Sequence, residues 1–574
     1  MTNDQIADVL EEIANLLDFR ATNPFRIRAY RNGARVIRDL AEPLTRILED
    51  VDRKLTDIDG IGKDLAEKIT TLVDTGALPQ LNELLEQIPE SVLALLRIPG
   101  LGPRKAAILF EQLGIKDLAQ LKAACEAGQV RVLKGFGAKT EQAILKGIDF
   151  AGAANHRIYW SNADKIAQAL REHLGACPSV KQLEFAGSYR RGRETVGDLD
   201  MLVVSEDFNT VMDHLGEFPQ VASTIGRGDT KMSIRLQSGF QVDLRVVPAE
   251  SFGAALQYFT GSKNHNVTLR GMAKRRGLKI NEYGVYRVEE RGEEYVAGAS
   301  EEDVYATLDL PCFPPELREA RREFEWAEQG QLPTLLELND IRGDLHMHTT
   351  ATDGKGTIDE MVEAARQRGL KYIAITDHSQ RVSMAFGLNA ERALAQWREI
   401  DQVNERQQGD FVVLKGIECD ILEKGGLDLP DDVLAQADWV LATIHYGQNQ
   451  SRQQITERLV EALENPHVHA IAHPTGRRLN HREAFQLDMD EVLRVAKRNG
   501  KFMELNANPA RLDLNDVYCA AAKSQGIPIV INTDAHSTSG LDCMRYGVLQ
   551  ARRAGLTKQD VVNTRTARQL QTLL

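Results

Sequence analysis

The sequence has few cysteines for its 574 residues: six are scattered along it, and no two form a CxxC pair. This spacing fits reduced thiols better than a disulfide framework, and it predicts a cytoplasmic protein. No apolar run approaches the roughly 18 residues of a membrane span, and the acidic, amphipathic N-terminus lacks the chemistry of a secretory signal. Net positive charge is missing too, since the formal charge is −13. That value argues only mildly against a nucleic-acid partner, because an acidic chain can hide a basic patch.

The composition changes along the chain and divides it into several domains, of which the length alone predicts roughly three or four. Short amphipathic helices separated by Gly turns fill the first 150 residues, and strand-like runs begin near Val180. A charged, proline-bearing stretch at 311–340 precedes the last part, which holds nine of the 13 histidines. The predicted domains are 1–85, 86–150, 151–248, 249–317 and 339–574, with a linker at 318–338.

A glycine pattern recurs three times in the first third, as hydrophobic-x-Gly-hydrophobic-Gly followed by a helix-like segment. The copies are IDGIGKDLAEKI from Ile58, IPGLGPRKAAIL from Ile98 and LKGFGAKTEQAIL from Leu133. Glycines let a backbone approach a phosphate closely, and the following helix offers unpaired N–H groups. The pattern can also make a tight helix–helix turn alone, but three copies, each followed by Lys or Arg, favour a grip on DNA backbones. The candidate contacts are Gly60, Gly62, Gly100 and Gly102.

The stretch GSYRRGRETVGDLDMLVV, which begins at Gly187, carries two features that belong together. Its Gly-Ser turn and adjacent arginines offer N–H groups, a hydroxyl and guanidinium forks to a triphosphate. In DLDMLVV, Asp198 and Asp200 alternate along a strand and share one face. Asp243, in FQVDLRVV, lies on a strand that can pair alongside. Paired acids can also mark a solvated strand end, but beside this turn they favour in-line nucleotidyl transfer on two Mg²⁺ or Mn²⁺ ions.

These motifs resemble family X DNA polymerases such as DNA polymerase beta, over roughly residues 1–317. The resemblance implies helix-hairpin-helix modules, an α+β nucleotidyltransferase palm and a small thumb-like subdomain, with gapped or nicked DNA and deoxynucleoside triphosphates as partners. It assigns catalysis to Asp198, Asp200 and Asp243. One departure is Gln241, where the beta enzyme has an arginine near the primer terminus. The other implied contacts are Ser188, Arg191 and Gly197 for the triphosphate, Tyr258, Phe259 and Gly261 for the sugar, Asn266 for the base and Arg270 for the template.

The same family carries a lysine that forms a Schiff base with an abasic sugar, and Lys68 matches it. Arg26 and Tyr30 match neighbouring phosphate contacts. However, basic positions around that pocket are replaced by Thr56, Asp64 and Gln80, and a pocket for a 5′-phosphate loses affinity with that charge. A lyase lysine and an ordinary helix lysine therefore both stay open.

In the last part, apolar strand-like runs end in residues that bind metals. RGDLHMHT, KYIAITDHS, FVVLKGIECD, DWVLATIHY, VHAIAHP and PIVINTDAHS are such runs, and FMELNAN is a seventh without histidine. Each pattern alone is weak, because an HxH pair is more often packed or exposed than a ligand. Together they predict a barrel with its site at the carboxyl ends of the strands. The candidate ligands are His346, His348, Asp353, His378, Glu418, His445, His473, Asp534 and His536.

This part resembles the PHP domain (polymerase and histidinol phosphatase), a distorted (β/α)7 barrel with a trinuclear site, over roughly residues 339–574. Mixed imidazole and carboxylate ligands suit Mn²⁺, Zn²⁺ or Fe²⁺, up to three ions. Arg511 and Lys415 are candidate phosphate contacts. By this pattern the ligand sets are His346, His348, Glu418 and Asp534; Glu418, His445 and His473; and Asp353, His378 and His536.

The whole layout resembles bacterial family X polymerases with a C-terminal PHP domain. It implies a template-directed, gap-filling DNA polymerase of base excision repair whose PHP domain is a 3′–5′ exonuclease and processes abasic or 3′-blocked ends. Two alternatives stay open, a phosphatase of small phosphate monoesters and a DNA-binding scaffold with structural metals. No membrane and no obligate protein partner is expected.

Overall fold

A computed structural model describes residues 3–20, 22–38, 40, 44–50, 53–88, 92, 95, 98, 101–151, 157–289, 292–406 and 410–574. The chain divides into two compact units, Met1–His156 and Arg157–Leu574. Among the helices in these ranges, none is long and apolar enough to cross a membrane.

The first unit is helical, and its two predicted modules share one core. A single cluster of buried side chains runs from Ile6 through Ile69 and Leu109 to Ile144. The amphipathic spacing seen in the sequence therefore serves one packing unit. Its helices are α1 (Asn3–Phe19), α2 (Pro24–Arg38), α3 (Leu44–Glu49), α4 (Lys63–Thr75), α5 (Pro79–Gln87), α6 (Pro103–Leu113), α7 (Leu118–Glu126) and α8 (Ala138–Ala151).

The three glycine patterns fold in the same way. In each, the second hydrophobic residue donates its N–H to the carbonyl of the first, at 3.0 Å, and a helix begins directly after the second glycine. Gly62 and Gly102 are the N-caps of α4 and α6 and give no side-chain cap, so early N–H groups of both helices stay available. Gly60 has φ +94°, which only glycine adopts readily. Gly100 lies outside the described residues.

The second unit begins with the predicted palm, a five-stranded sheet in the order β2-β4-β7-β6-β5. Strands β4 and β7 are parallel neighbours at its centre, and alternate residues such as Leu199 and Val242 pack into a buried cluster. The elements are β1 (Ile158–Tyr159), α9 (Trp160–Gly175), β2 (Gln182–Phe185), α10 (Gly187–Arg190), β3 (Thr195–Val196), β4 (Asp198–Val204), α11 (Phe208–Gly216), β5 (Val221–Arg227), β6 (Lys231–Leu236) and β7 (Gln241–Val247).

The thumb-like part carries two helices against a three-stranded antiparallel sheet, β10-β9-β8. The predicted linker starts inside this packing, because Arg318 is 0% exposed and Glu323 is 1% exposed. The elements are α12 (Phe252–Thr260), α13 (Lys263–Arg275), β8 (Leu278–Asn281), β9 (Gly284–Glu289), β10 (Gly292–Ala297), α14 (Glu301–Ala306) and α15 (Glu323–Glu328).

The last part is a sheet of seven parallel strands that follow one another in chain order, β11 to β17. A parallel bridge between Met347 and Ala535 joins its two ends. Along β12, Ile373 and Ile375 face the outer helices and Tyr372 and Ala374 face the interior, which explains the continuous apolar runs. The strands are β11 (Gly343–Asp344), β12 (Tyr372–Ile375), β13 (Val412–Asp420), β14 (Trp439–Thr443), β15 (Ala470–Ile471), β16 (Phe502–Asn506) and β17 (Ile529–Asn532). The helices are α16 (Ile358–Gln367), α17 (Ala390–Arg406), α18 (Asp431–Leu434), α19 (Arg452–Glu464), α20 (Met489–Arg498), α21 (Asp516–Ser524), α22 (Met544–Arg553) and α23 (Ala567–Gln571).

Candidate functional site

Strand pairing brings the three palm carboxylates together. Strands β4 and β7 run parallel with Asp200 opposite Asp243, and Asp198 shares the face of Asp200 because side chains alternate along a strand. Asp243 is 8% exposed. It accepts a hydrogen bond from Ser233 Oγ, and its Oδ2 accepts one from Gln241 Nε2 at 3.2 Å. Gln241, the departure from the beta enzyme, therefore supports a carboxylate here.

The palm carboxylates repel one another. Burial, followed by the charges of Asp198 and Asp243, raises the pKa of Asp200 to about 7. Burial and Asp243 also raise the pKa of Asp198. The donors are oxygens only, and their negative charge is balanced only in part by Lys231, 3.6 Å from Asp243. Such a site fits Mg²⁺ or Mn²⁺, which would favour the ionised carboxylates.

The Gly-Ser turn lies directly against this site. Gly187 has φ +63°, and a Cβ there would come within 2.4 Å of Asp200 Oδ2, so only glycine fits. Ser188 follows in the one-turn helix α10, and Arg191 Nη1 donates to the carbonyl of Thr260 at 2.5 Å. Gly197 immediately precedes the strand that carries Asp198. The turn that carries Ser188 and Arg191 thus begins beside Asp200, and Gly197 adjoins Asp198.

The residues predicted to hold the sugar, base and template lie on α12, α13 and the turn between them. Tyr258 and Phe259 pack edge to face with ring centroids 5.1 Å apart, and Gly261 ends α12 with φ +69°. Asn266 Nδ2 donates to the Tyr258 carbonyl at 2.7 Å, and its Oδ1 accepts from Gln257 at 2.7 Å. Part of its hydrogen-bonding capacity is therefore already used. Arg270 is exposed.

The barrel brings all nine predicted ligands into one cluster at the carboxyl ends of the strands. Glu418 lies at its centre, with one oxygen 2.8 Å from His378 Nδ1 and the other 2.9 Å from His473 Nε2. His348 Nε2 lies 3.1 Å from Asp534 Oδ1. Among the residues that the structure describes, three groups could each hold a metal ion, and they overlap the predicted sets without matching them residue for residue. They are His348, Asp353, His378 and His536; His346, His348 and Asp534; and His378, Glu418 and His445.

Metals fit this cluster because several of its buried polar atoms, even where they lie close to one another, make no aligned hydrogen bond to the described residues. They include His346 Nε2, His348 Nδ1, His378 Nδ1 and Glu418 Oε2. Such atoms are costly unless a cation or water satisfies them. Burial alone would raise the pKa of Glu418, but His378, His346 and His445 hold it well below its usual value. Burial lowers the pKa of His473 to about 4, so its ring is neutral near pH 7, the form that binds metals.

The backbone holds two candidate ligands in rarely adopted conformations. His473 has φ +30° and Asp534 has φ +54°, in the left-handed region that L-residues avoid. Strain of this kind persists where the surrounding structure imposes it and is common at functional sites. His346 and His348 also differ from a simple strand pattern, because β11 ends at Asp344 and both follow it.

Buried acids that do not belong to the predicted ligand set form a layer behind the ligands. Glu504 Oε1 lies 2.7 Å from His346 Nδ1, and its Oε2 accepts from the His473 N–H at 2.7 Å. Asp377, which follows β12, accepts from Thr349 N at 2.8 Å and holds the loop that leads to Asp353. Glu504 lies in FMELNAN, the run without histidine, where only an inward-facing acid in an apolar strand marked it.

The cluster opens into a cavity of about 710 Å³ whose lining includes Arg478, Arg482 and Arg511. Arg511 Nε lies 3.4 Å from Asp534 Oδ2. These guanidinium groups suit a phosphate-bearing substrate. Lys415, the other predicted phosphate contact, pairs instead with Asp401 of α17 at 3.4 Å, and it does not line this cavity.

Lys68 of α4 is paired within its own helix. Its Nζ lies 2.5 Å from Asp64 Oδ2, one turn earlier, and 5.2 Å from the centre of the Tyr30 ring. Tyr30 in turn donates its hydroxyl to Gln80 at 2.6 Å. Asp64 therefore pairs with Lys68 directly, and Gln80 binds the tyrosine whose ring Lys68 approaches.

Family models match most of the chain. They are a helix-hairpin-helix domain at 1–78, a SAM-like helix-hairpin-helix tandem at 92–149, a DNA polymerase beta palm at 157–229, a DNA polymerase beta thumb at 255–319 and a PHP domain at 344–508. These matches and the seven-stranded barrel confirm the predicted fold class.

Curated relatives match the chain as a whole or by part. The chain is 41% identical to the DNA polymerase/3′-5′ exonuclease PolX of Bacillus subtilis (strain 168), over 100% of the chain and 99% of the relative. A probable phosphatase of Acetivibrio thermocellus is 33% identical over 34% of the chain and 78% of its own length. DNA polymerase lambda of Rattus norvegicus is 25% identical over 55% of the chain and 56% of its own length.

These matches make the protein an enzyme rather than a DNA-binding scaffold. The palm model covers Asp198 and Asp200, and the PHP model covers seven of the nine barrel ligands. The Bacillus relative aligns with the whole chain, including Asp243, Asp534 and His536, over 99% of its own length. The chain therefore belongs to the family X DNA polymerases that carry a C-terminal PHP domain, and it is a DNA-directed DNA polymerase with a second, phosphoesterase domain.

Proposed function

We propose that this protein is a template-directed, gap-filling DNA polymerase of base excision repair, and that its PHP domain is a 3′–5′ exonuclease that also processes abasic or 3′-blocked ends. The observation that carries the proposal is the register of β4 and β7, which sets Asp200 opposite Asp243 beside the Gly187 turn. A scaffold has no use for such a site.

In the polymerase half, each group has a distinct task. Asp198, Asp200 and Asp243 hold divalent cations, and Asp243 receives the proton of the primer 3′-hydroxyl. Ser188, Arg191 and Gly197 bind the triphosphate. The arginine fork suits phosphate oxygens. The remaining assignments are Tyr258, Phe259 and Gly261 to the sugar, Asn266 to the base and Arg270 to the template.

Two kinds of cation serve the two halves: Mg²⁺ or Mn²⁺ in the palm, and up to three Mn²⁺, Zn²⁺ or Fe²⁺ ions in the barrel. When bound, they neutralise phosphate charge and activate the attacking oxygen. The ligand chemistry supports this division, because the palm offers oxygens alone while the barrel offers imidazoles as well.

The PHP half fits hydrolysis at a DNA end. Its cavity of about 710 Å³ is lined both by candidate ligands and by Arg478, Arg482 and Arg511. A nucleotide with its neighbouring phosphate needs both. The named activity of the Bacillus relative supports the same substrate.

The N-terminal helices supply the grip on DNA. The N-caps Gly62 and Gly102, with Gly60 and Gly100, offer backbone N–H groups to phosphates on either side of a gap. We place the domain boundaries at 1–85, 86–150, 151–248, 249–317 and 339–574. Schiff-base chemistry at Lys68 stays outside this proposal, since Asp64 already pairs with its amine.

A second function for the PHP half, hydrolysis of small phosphate monoesters, is favoured by its likeness to the probable phosphatase of Acetivibrio thermocellus. A monoester needs the ligand cluster and one arginine, whereas a DNA end also needs contacts along the strand. The two substrates can therefore be compared directly in one preparation.

The test is extension and 3′ trimming of a labelled, one-nucleotide gapped duplex, in Mg²⁺ and in Mn²⁺. We expect Asp198→Ala/Asp200→Ala to lose extension alone and His346→Ala/His348→Ala to lose trimming alone. His481→Ala, which removes an exposed histidine of the barrel, is the matched control and keeps both activities.

Each failure has its own meaning. If the wild type neither extends the primer nor trims its 3′ end, the polymerase–exonuclease proposal is wrong. If trimming is absent and a small aryl phosphate is hydrolysed at the same site, the PHP domain is a phosphatase of small monoesters and not an exonuclease. Gapped DNA with and without a 5′-phosphate, bound at increasing salt, checks the phosphate grip.

A further inference from the structure

Helix α22 of the barrel contacts the triphosphate-binding turn of the palm. Arg553 Nη1 donates to the carbonyl of Arg191 at 2.6 Å, and Gln550 Nε2 donates to the carbonyl of Gly192 at 2.8 Å. Gly192 has φ +66°, and a Cβ there would lie 2.6 Å from Leu549 Cγ. One face of a barrel helix therefore fixes two successive peptide groups of the turn.

The side chain of Arg191 is fixed from the same direction. Its Nε donates to Glu319 Oε1 at 3.1 Å, and Arg553 Nη1 donates to that same oxygen at 3.0 Å. Arg191 Nη1 is occupied by the Thr260 carbonyl at 2.5 Å. Within the described part of the chain, Arg191 Nη2 makes no hydrogen bond, so this nitrogen is left to meet a phosphate.

Arg553 is itself anchored in the barrel. Its Nη2 donates to Asp516 Oδ2 at 2.8 Å, and Arg321 Nη1 donates to the same oxygen at 3.1 Å. The Arg553 side chain is 1% exposed. A buried charge of this kind is stable only while its partners are in place. Charges alternate along the line Asp516, Arg553, Glu319 and Arg191, which begins in the barrel and ends at the nucleotide turn.

We propose that Arg553 is a positioning residue for nucleotidyl transfer: it holds Glu319, Arg191 and the turn carbonyls in the geometry that receives the triphosphate. The C-terminal domain is then part of the nucleotide pocket, besides having its own site. This inference rests on the proposed role of Arg191 in triphosphate binding.

A purely structural role for α22 makes a different prediction, and the neighbouring Arg552 separates the two. Arg552 Nε donates to Glu316 at 2.8 Å and Nη1 donates to the Leu336 carbonyl at 3.0 Å. It also ties α22 to the segment before the barrel, but it does not touch residues 187–193 in the described contacts. If α22 only holds the domains together, substitution of either arginine should weaken nucleotide binding. If Arg553 positions the turn, only substitution of Arg553 should do so.

The experiment measures single-nucleotide incorporation on a one-nucleotide gap by the full chain and by R553Q, R553K and R552Q. We expect R553Q to raise the KM for the nucleotide about 10-fold or more, with kcat lowered much less, because charged hydrogen bonds that pre-form the pocket are lost. R553K gives an intermediate value, since one ammonium group cannot replace a fork with several partners. R552Q keeps the wild-type KM, and nuclease activity of the same preparations is unchanged.

Nucleotide affinity is also measured on a dideoxy-terminated primer, where no turnover occurs. This affinity tests the role of Arg553 even if the wild type extends poorly. Failure of the proposed function and failure of the positioning role therefore give different results. If R553Q does not fold, Gln550→Leu, which removes only the bond to Gly192, is expected to weaken nucleotide binding about 3-fold. Equal KM and affinity in R553Q, R552Q and wild type overturn the proposal.

Discussion

The palm and the barrel hold their candidate metal ligands by opposite means. The palm uses two paired strands, and the register of β4 and β7 alone sets Asp200 opposite Asp243. The barrel collects nine groups from the carboxyl end of β13 and from segments that follow five other strands, and buried acids that include Glu504 and Asp377 support this layer from behind. Oxygen ligands tolerate such simple support, whereas each imidazole ring needs a second hydrogen bond to fix its direction.

The charges differ as well. The palm is a like-charge cluster, in which burial and neighbouring carboxylates raise the pKa of Asp200 to about 7. The barrel pairs its acids with imidazoles, and His378, His346 and His445 hold the pKa of Glu418 well below its usual value despite burial. Without cations, the palm site should therefore cost stability, while the barrel site should contribute to it.

The largest effect is expected for Glu418→Gln. Glu418 is 1% exposed and contacts several histidines, so its neutralisation leaves buried imidazoles without a counter-charge. We expect 3′ trimming to fall more than about 100-fold, beyond the cost of an outer-layer partner, while extension persists. The free energy of unfolding in a chelator should fall by about 3–5 kcal/mol. Retained trimming would remove Glu418 from the centre of the site.

Asp200→Asn tests the palm site, where we expect a loss of activity together with a gain in stability. Extension should fall more than about 100-fold, since a cation ligand is lost, while trimming persists. Stability in a chelator should rise by about 1–2 kcal/mol, because one of three neighbouring negative charges is removed. Denaturant unfolding of both variants beside wild type measures the two signs. Equal destabilisation by Asp200→Asn and Glu418→Gln would contradict the difference drawn between the sites.

Glu504→Gln tests the supporting layer of the barrel. Glu504 contacts His346 Nδ1 at 2.7 Å without belonging to the predicted ligand set. We expect a loss of about 10–100-fold in trimming or in affinity for the activating metal, and no change in extension. Titration with Mn²⁺ separates the two losses, because extra metal restores a variant that only binds it more weakly. An unaltered metal dependence and rate would make Glu504 a packing residue.

The two sites differ in how much of each could be predicted from the sequence. The ends of parallel strands converge, so apolar runs that end in His, Asp or Glu predicted the barrel cluster. The alternation in DLDMLVV placed Asp198 and Asp200 on one face, but their pairing with Asp243 required a register that the sequence does not show. Glu504 is marked only as an acid inside an apolar strand, which does not reveal its contact with His346. Arg553 contacts a residue 362 positions earlier and carries no local signal.

The smallest effect on the two activities is expected for an ion-pair network that supports the palm turn. Glu301 accepts hydrogen bonds from Arg190 at 2.8 Å and from Arg318 at 2.5 Å, and it is 6% exposed. Although burial opposes ionisation, these arginines lower the pKa of Glu301 from 4.5 to about 2. A carboxyl with a lowered folded-state pKa contributes stability above its unfolded pKa and loses it as the pH falls toward the folded value.

Glu301→Gln should therefore cost about 3 kcal/mol at neutral pH, and the cost should shrink below about pH 4.5, reaching roughly half near pH 3.5. Denaturant midpoints of wild type and variant across this range measure the difference between them, so acids shared by both proteins cancel. Asp309→Asn is a suitable control, because its pair with Arg276 is largely exposed, at 86% for Asp309. If the stability gap between wild type and Glu301→Gln is the same at pH 7 and near pH 3.5, the network is held by neutral hydrogen bonds and not by charge.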